Sequence, residues 1–220
     1  MFVKICGITS EEDGLLAVAM GADAVGFLFA PSPRRVSPTR AGEISRRLPP
    51  EILTVGVFRN EDPRAVVDIA NRARLRAVQL HGHESPAETR RVREQVGTVI
   101  KAFRAGSAEL EQARDYGADI VLVDADQPGS GRIFDWALAE RAAGALPVMV
   151  AGGLNPENVA AAIAKTRPWG VDVSTGVESS PGRKDPRLVR DFVTAARAPG
   201  GGAPPPDSVS GELYDWQAES

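Results

Sequence analysis

Two side chains of the kinds that move protons stand where a strand would present them. Cys6 ends the apolar run FVKIC and is followed at once by Gly7, while Asp124 ends the run IVLVD. As a thiolate, a cysteine can take a carbon-bound proton, provided that a cationic or electrophilic neighbour stabilises that form. The competing reading is inert, because a lone cysteine is more often a small buried hydrophobe. An aspartate closing a run of β-branched residues and leucine is costly if buried without a partner. It therefore either caps a loop or works at a site mouth as an acid or a base.

Other polar residues follow further strand-like runs. Arg34 lies in SPRRV, where a guanidinium could grip a carboxylate in a bidentate manner, though it or its neighbour Arg35 could equally be a solvated loop charge. Gln79 and His81 in AVQLH could hydrogen-bond sugar hydroxyls, and a histidine tied to backbone is an equal reading. The segments AGGLNPENV and DVSTGVES each contain glycine beside polar residues. Backbone N–H groups around Gly152, Gly153, Ser174, Thr175 and Gly176 could surround a phosphate, the more so as two such loops occur in succession. The loop GSGRIFDW, residues 129–136, reads as a cover with glycine hinges or as a plain linker.

Positioning these residues requires a frame, and the chain has a regular one. Strand-like runs recur at 2–6, 24–29, 53–58, 77–81, 98–103, 120–124, 147–151 and 171–174, with helix-like segments between them. Ser10 reads as an N-cap and Gly21 as a left-handed terminator of the first helix. Ser37-Pro38, Asp62-Pro63, Ser85-Pro86, Asn155-Pro156 and Asp185-Pro186 repeat one signal, a capping residue before proline at the first helical position. The run 134–144 is the weakest helical segment. Eight βα units in series predict a compact (β/α)8 TIM barrel, with an open doubly wound α/β sheet as the alternative. Ligands then bind at the carboxyl ends of the strands, where the residues named above fall. Residues 1–197 are expected to form the barrel. Residues 198–220, opening with APGGGAPPP, are expected to be a flexible tail.

Composition narrows the function. Of 220 residues, 43% are hydrophobic and 25% charged, as in an ordinary globular domain, and the net charge of −3 provides no field for nucleic acid or an anionic membrane. No apolar run is long enough to span a bilayer and no signal-peptide pattern opens the chain, so a cytoplasmic protein is expected. One cysteine forbids an internal disulfide, and with two histidines, His81 and His83, no metal site is expected.

KICGIT, GADAVGFLF, SPRRVS, VGVF, AVQLHG, LVDA, GSGRIFDW, AGGLNPENV and VDVSTGVES, in that order, closely resemble the phosphoribosylanthranilate isomerase family over about residues 2–196. The resemblance implies an Amadori rearrangement of a phosphoribosyl substrate in tryptophan biosynthesis, without metal or organic cofactor. By position it makes Asp124 the general acid that opens the furanose ring and Cys6 the general base at carbon 2. It also makes Arg34 a contact of the anthranilate moiety and the two Gly-rich loops the phosphate site. It leaves the association state as monomer or homodimer. The related aminoimidazole carboxamide ribotide isomerases carry an aspartate at the first strand end, against which Cys6 argues. A noncatalytic phosphosugar-binding barrel would not need Cys6 and Asp124 together.

Overall fold

A computed structural model of the chain describes residues 1–124 and 144–198. Eight parallel strands close into a barrel in sequence order: β1 (Phe2–Cys6), β2 (Ala24–Leu28), β3 (Leu53–Phe58), β4 (Ala77–Leu80), β5 (Thr98–Arg104), β6 (Ile120–Asp124), β7 (Val148–Ala151) and β8 (Gly170–Val173). The β1–β8 pairing sets Lys4 beside Asp172 and closes the ring. The open sheet is thereby excluded. Seven α-helices lie among the described residues: α1 (Glu11–Ala19), α2 (Pro38–Ser45), α3 (Pro63–Arg72), α4 (Pro86–Arg93), α5 (Ala108–Glu111), α6 (Val159–Thr166) and α7 (Pro186–Arg197). A short hairpin, β9 (Glu178–Ser180) and β10 (Arg183–Lys184), precedes α7.

The predicted punctuation holds at five helix starts. Ser10, Ser37, Asp62, Ser85 and Asp185 each accept a hydrogen bond from a backbone N–H in the first turn, and Ser85 with Glu88 completes a capping box. Gly21, at φ 94°, ends the first helix as expected. Asn155-Pro156 does not start a helix. Asn155 Oδ1 accepts from the backbone of Glu157 and Asn158 in a separate turn, and α6 begins only at Val159. The loop 129–136, the run 134–144 except Gly144, and the tail from residue 199 lie outside the described residues.

Strand parity separates two cores, because alternate side chains face opposite sides of a strand. Val3 and Ile5, Val25 and Phe27, and Val171 and Val173 face outward and pack under the helices. Inside the ring lie Ala24, Val55, Ala77, Ile100, Ile120, Leu122 and Met149, with Phe2 stacked on Trp169 at 4.4 Å near the amino ends of β1 and β8. α7 shows the same logic at helical spacing, burying Val189, Phe192, Val193 and Ala196. Above the apolar floor the inward side chains turn polar, and the site begins there.

Candidate active site

Cys6 is the last residue of β1 and shares the inward face with Phe2 and Lys4. It is only 6% exposed. Gly7 follows at φ 82°, and a Cβ there would stand 2.8 Å from Arg34 Cδ and 2.9 Å from Ser174 Oγ. Glycine is thus what lets the chain turn at the sulfur while the second and eighth loops close over it. Burial pushes the Cys6 thiol up from its ordinary value, while the Lys4 ammonium pulls it back part of the way.

Asp124 closes β6 on the inward face, half-buried, with Oδ2 3.0 Å from His81 Nε2. Gln79 Nε2 lies 2.7 Å from His81 Nδ1. With the amide donating to Nδ1, the neutral ring carries its proton on Nε2 and donates it to Asp124. Gln79 and His81 are therefore joined to Asp124 in one hydrogen-bonded line. The loop that carries His81 is itself anchored. Glu84 accepts from the backbone N–H of Asn60 and Gly82, and Lys101 Nζ donates to Glu84 Oε2 at 2.9 Å and to the Gly82 carbonyl at 2.8 Å. Burial works against the Glu84 charge, but Lys101 and the backbone donors outweigh it and hold the carboxyl below its ordinary range.

Arg34 reaches the mouth from the loop after β2. Its Nε and Nη2 donate to the two oxygens of Glu178, both at 2.7 Å. Glu178 also accepts from Lys184 Nζ at 2.9 Å, and Lys184 donates to the Ser174 carbonyl at 3.1 Å. One carboxylate thus ties the second loop to the strand that follows the eighth. The Nε–Nη2 edge of the Arg34 guanidinium is thus committed to Glu178.

The Gly-rich loops converge. Gly152 and Gly153 follow β7 with positive φ, and Ser174 and Thr175 follow β8, where a 3-10 turn runs over Thr175–Val177. A Cβ on Gly176 would stand 1.9 Å from the Leu154 carbonyl oxygen, so only glycine allows the two loops to touch. Among the described residues no group of three or more His, Cys, Asp or Glu side chains could hold a metal ion.

The model of the N-(5′-phosphoribosyl)anthranilate (PRA) isomerase family matches residues 3–195. The chain belongs to that family. The N-(5′-phosphoribosyl)anthranilate isomerase of Desulforudis audaxviator is 54% identical over 202 residues, which cover 89% of this chain and 97% of that relative. A crystal structure of a phosphoribosyl anthranilate isomerase in complex with reduced 1-(o-carboxyphenylamino)-1-deoxyribulose 5-phosphate is 43% identical, with a TM-score of 0.79, covering 89% of this chain and 98% of that one. Monomers generated from the dimeric Thermotoga maritima isomerase are 41% identical at a TM-score of 0.78, covering 90% and 99%.

Within this PRA isomerase barrel, four charged residues beside the site were missed by sequence reasoning: Lys4, Asp172, Glu178 and Lys184. Lys4 and Asp172 carried a signal, since each interrupts an apolar strand on the inward face, in FVKIC and GVDV. Glu178 and Lys184 carried none, because Arg34 and Glu178 are 144 residues apart in sequence.

Proposed function

We propose that this chain catalyses the Amadori rearrangement of N-(5-phosphoribosyl)anthranilate to 1-(2-carboxyphenylamino)-1-deoxyribulose 5-phosphate in tryptophan biosynthesis, with Asp124 as general acid and Cys6 as general base. The observation that carries this reading is the pair itself. One carboxyl and one thiol close the inward faces of β6 and β1, separated by β7 and β8, at the end of the barrel where ligands bind.

In the first step the Asp124 carboxylic acid gives its proton to the furanose ring oxygen. The bond from that oxygen to carbon 1 breaks, and the nitrogen lone pair forms the iminium double bond. Carbon 2 is now acidic, because the electron pair of its C–H bond can flow to the iminium nitrogen. The Cys6 thiolate takes that proton, an enolamine forms, and tautomerisation gives the ketone.

Arg34 binds the anthranilate carboxylate through the end of its guanidinium that does not hold Glu178. The loops at Gly152, Gly153, Ser174, Thr175 and Gly176 hold the phosphate through backbone N–H groups, and Gln79 and His81 orient the sugar and Asp124. The reading extends to a cytoplasmic enzyme that needs no metal or organic cofactor. The dimeric Thermotoga maritima relative supports a homodimer over a monomer, and sedimentation velocity separates the two. No helix among the described residues is long and apolar enough to cross a membrane.

The test is the loss of fluorescent phosphoribosylanthranilate, made in place from anthranilate and phosphoribosyl pyrophosphate by a separate transferase. Rapid loss with the wild type that collapses in Cys6→Ser is expected. A wild type that adds nothing to the uncatalysed rate would overturn the reading.

A further inference from the structure

A general base that is a thiol must lose its own proton first, and the Cys6 site is hostile to that. The sulfur is buried in the barrel, where a thiolate is poorly solvated. Something inside the ring must supply the missing stabilisation. Four charged groups bear on the sulfur: Lys4 from its own strand, Asp172 from β8, Lys184 from β10 and Arg34 from the loop after β2. Arg34 and Lys184 share Glu178, whose single negative charge offsets part of theirs, and Asp172 likewise opposes the thiolate, though less strongly than Lys4 favours it. Lys4 is differently placed. Two residues before Cys6 on the inward face, it is fully buried, with Nζ 2.9 Å from Asp172 Oδ1. Its positive charge has the strongest favourable effect of the four on the thiolate.

The packing around Gly26 places the sulfur and the ammonium on one side of β2. A Cβ there would stand 2.7 Å from the Cys6 sulfur and 3.1 Å from Lys4 Nζ. Both groups thus crowd into the space that a side chain on β2 would fill. Stability alone does not require the arrangement, since a buried ion pair recovers little more than its own desolvation cost and an apolar pair of similar volume often serves as well. Asp172 keeps the buried ammonium charged, and Lys4 is held above the ordinary lysine value although burial acts against it. The charge that results faces the sulfur.

We infer that Lys4, held by Asp172, is a positioning residue for the isomerase reaction: its buried ammonium stabilises the Cys6 thiolate from beneath, so that the thiol can serve as base at neutral pH. The inference rests on the reading of Cys6 as the base. Lys4 does not touch the substrate. When the C–H bond at carbon 2 breaks, its electron pair goes to the iminium system and the proton forms the S–H bond, so Lys4 exchanges no atoms and acts by charge alone.

Cys6 is the chain's single cysteine, so alkylation by iodoacetamide reports on it alone. The variant Lys4→Met/Asp172→Asn removes both charges without leaving either one unpaired. Lys4→Gln keeps a donor for Asp172 but no charge, and serves as a second variant should the first fail to fold. In either, the pH midpoint of alkylation and the rising limb of kcat/KM should both move up by about one unit, the scale of a nearby opposite charge. At pH 7 that lowers kcat/KM by about tenfold, with recovery as the pH is raised. KM should stay within about twofold, as expected for a group that does not bind substrate. Profiles that stay at the wild-type pH in a folded variant would overturn the role of Lys4. Full turnover in Cys6→Ser would instead overturn the assignment of the base on which it rests.

Discussion

Asp124 comes to the mouth with one carboxyl oxygen held by His81, which is held in turn by Gln79. Asp124→Asn keeps that shape and removes the proton that the first step needs, so kcat should fall by about 100-fold or more while KM changes little. Steady-state kinetics at pH 7 checks this, and near-wild-type turnover would remove Asp124 from the mechanism. Arg34 should divide the other way. A hydrogen bond to a charged group contributes roughly 1.5–3 kcal/mol, so Arg34→Ala should raise KM by about 10-fold or more and change kcat less. At this scale the sequence was readable where a residue's chemistry and its place at a strand end coincide, as for Cys6 and Asp124. It was silent on Glu178, whose hold on Arg34 depends on two loops meeting.

Each element sets its functional side chain by its own ending. The strand-end residues were legible because each closes a short apolar run, and the Ser-Pro and Asp-Pro helix starts mark where the following loops end. Asn155-Pro156 carries the same signal and forms only a turn, because here the asparagine side chain folds back on Glu157 and Asn158, and Asn158 Nδ2 bonds the Gly153 carbonyl. That detour shapes the loop against which Gly176 packs. Since a Cβ on Gly176 would meet the Leu154 carbonyl at 1.9 Å, Gly176→Ala must push the two loops apart. KM should rise by about 5-fold or more, and inhibition by inorganic phosphate should weaken in parallel, with kcat little altered. Unchanged phosphate inhibition would separate these loops from the phosphate.

Over the whole molecule, eight strand–helix repeats were enough to suggest a barrel, but closure is a pairing of the first strand with the last, and no local pattern encodes it. Long-range ion pairs were hidden for the same reason, and they shape the response to acid. Glu84 and Glu178 are both held below the ordinary glutamate value of 4.5. In each case burial acts against the charge and is outweighed, by Lys101 and backbone donors at Glu84, and by Arg34 and Lys184 at Glu178. A carboxyl with a depressed folded-state pKa contributes stability that is fully present above its unfolded value and is lost as pH falls through the folded one. Between those limits the unfolded chain binds more protons than the folded chain, so acid favours unfolding. The urea midpoint should therefore hold steady from pH 7 down to about 5 and fall below about 4.5. Glu84→Gln removes one of the two titrations. It should lower the midpoint at pH 7, because Lys101 loses its charged partner, and make the acid limb shallower than in the wild type. An acid limb as steep as the wild type's would show that the anchored carboxylate under the His81 loop does not govern the acid transition.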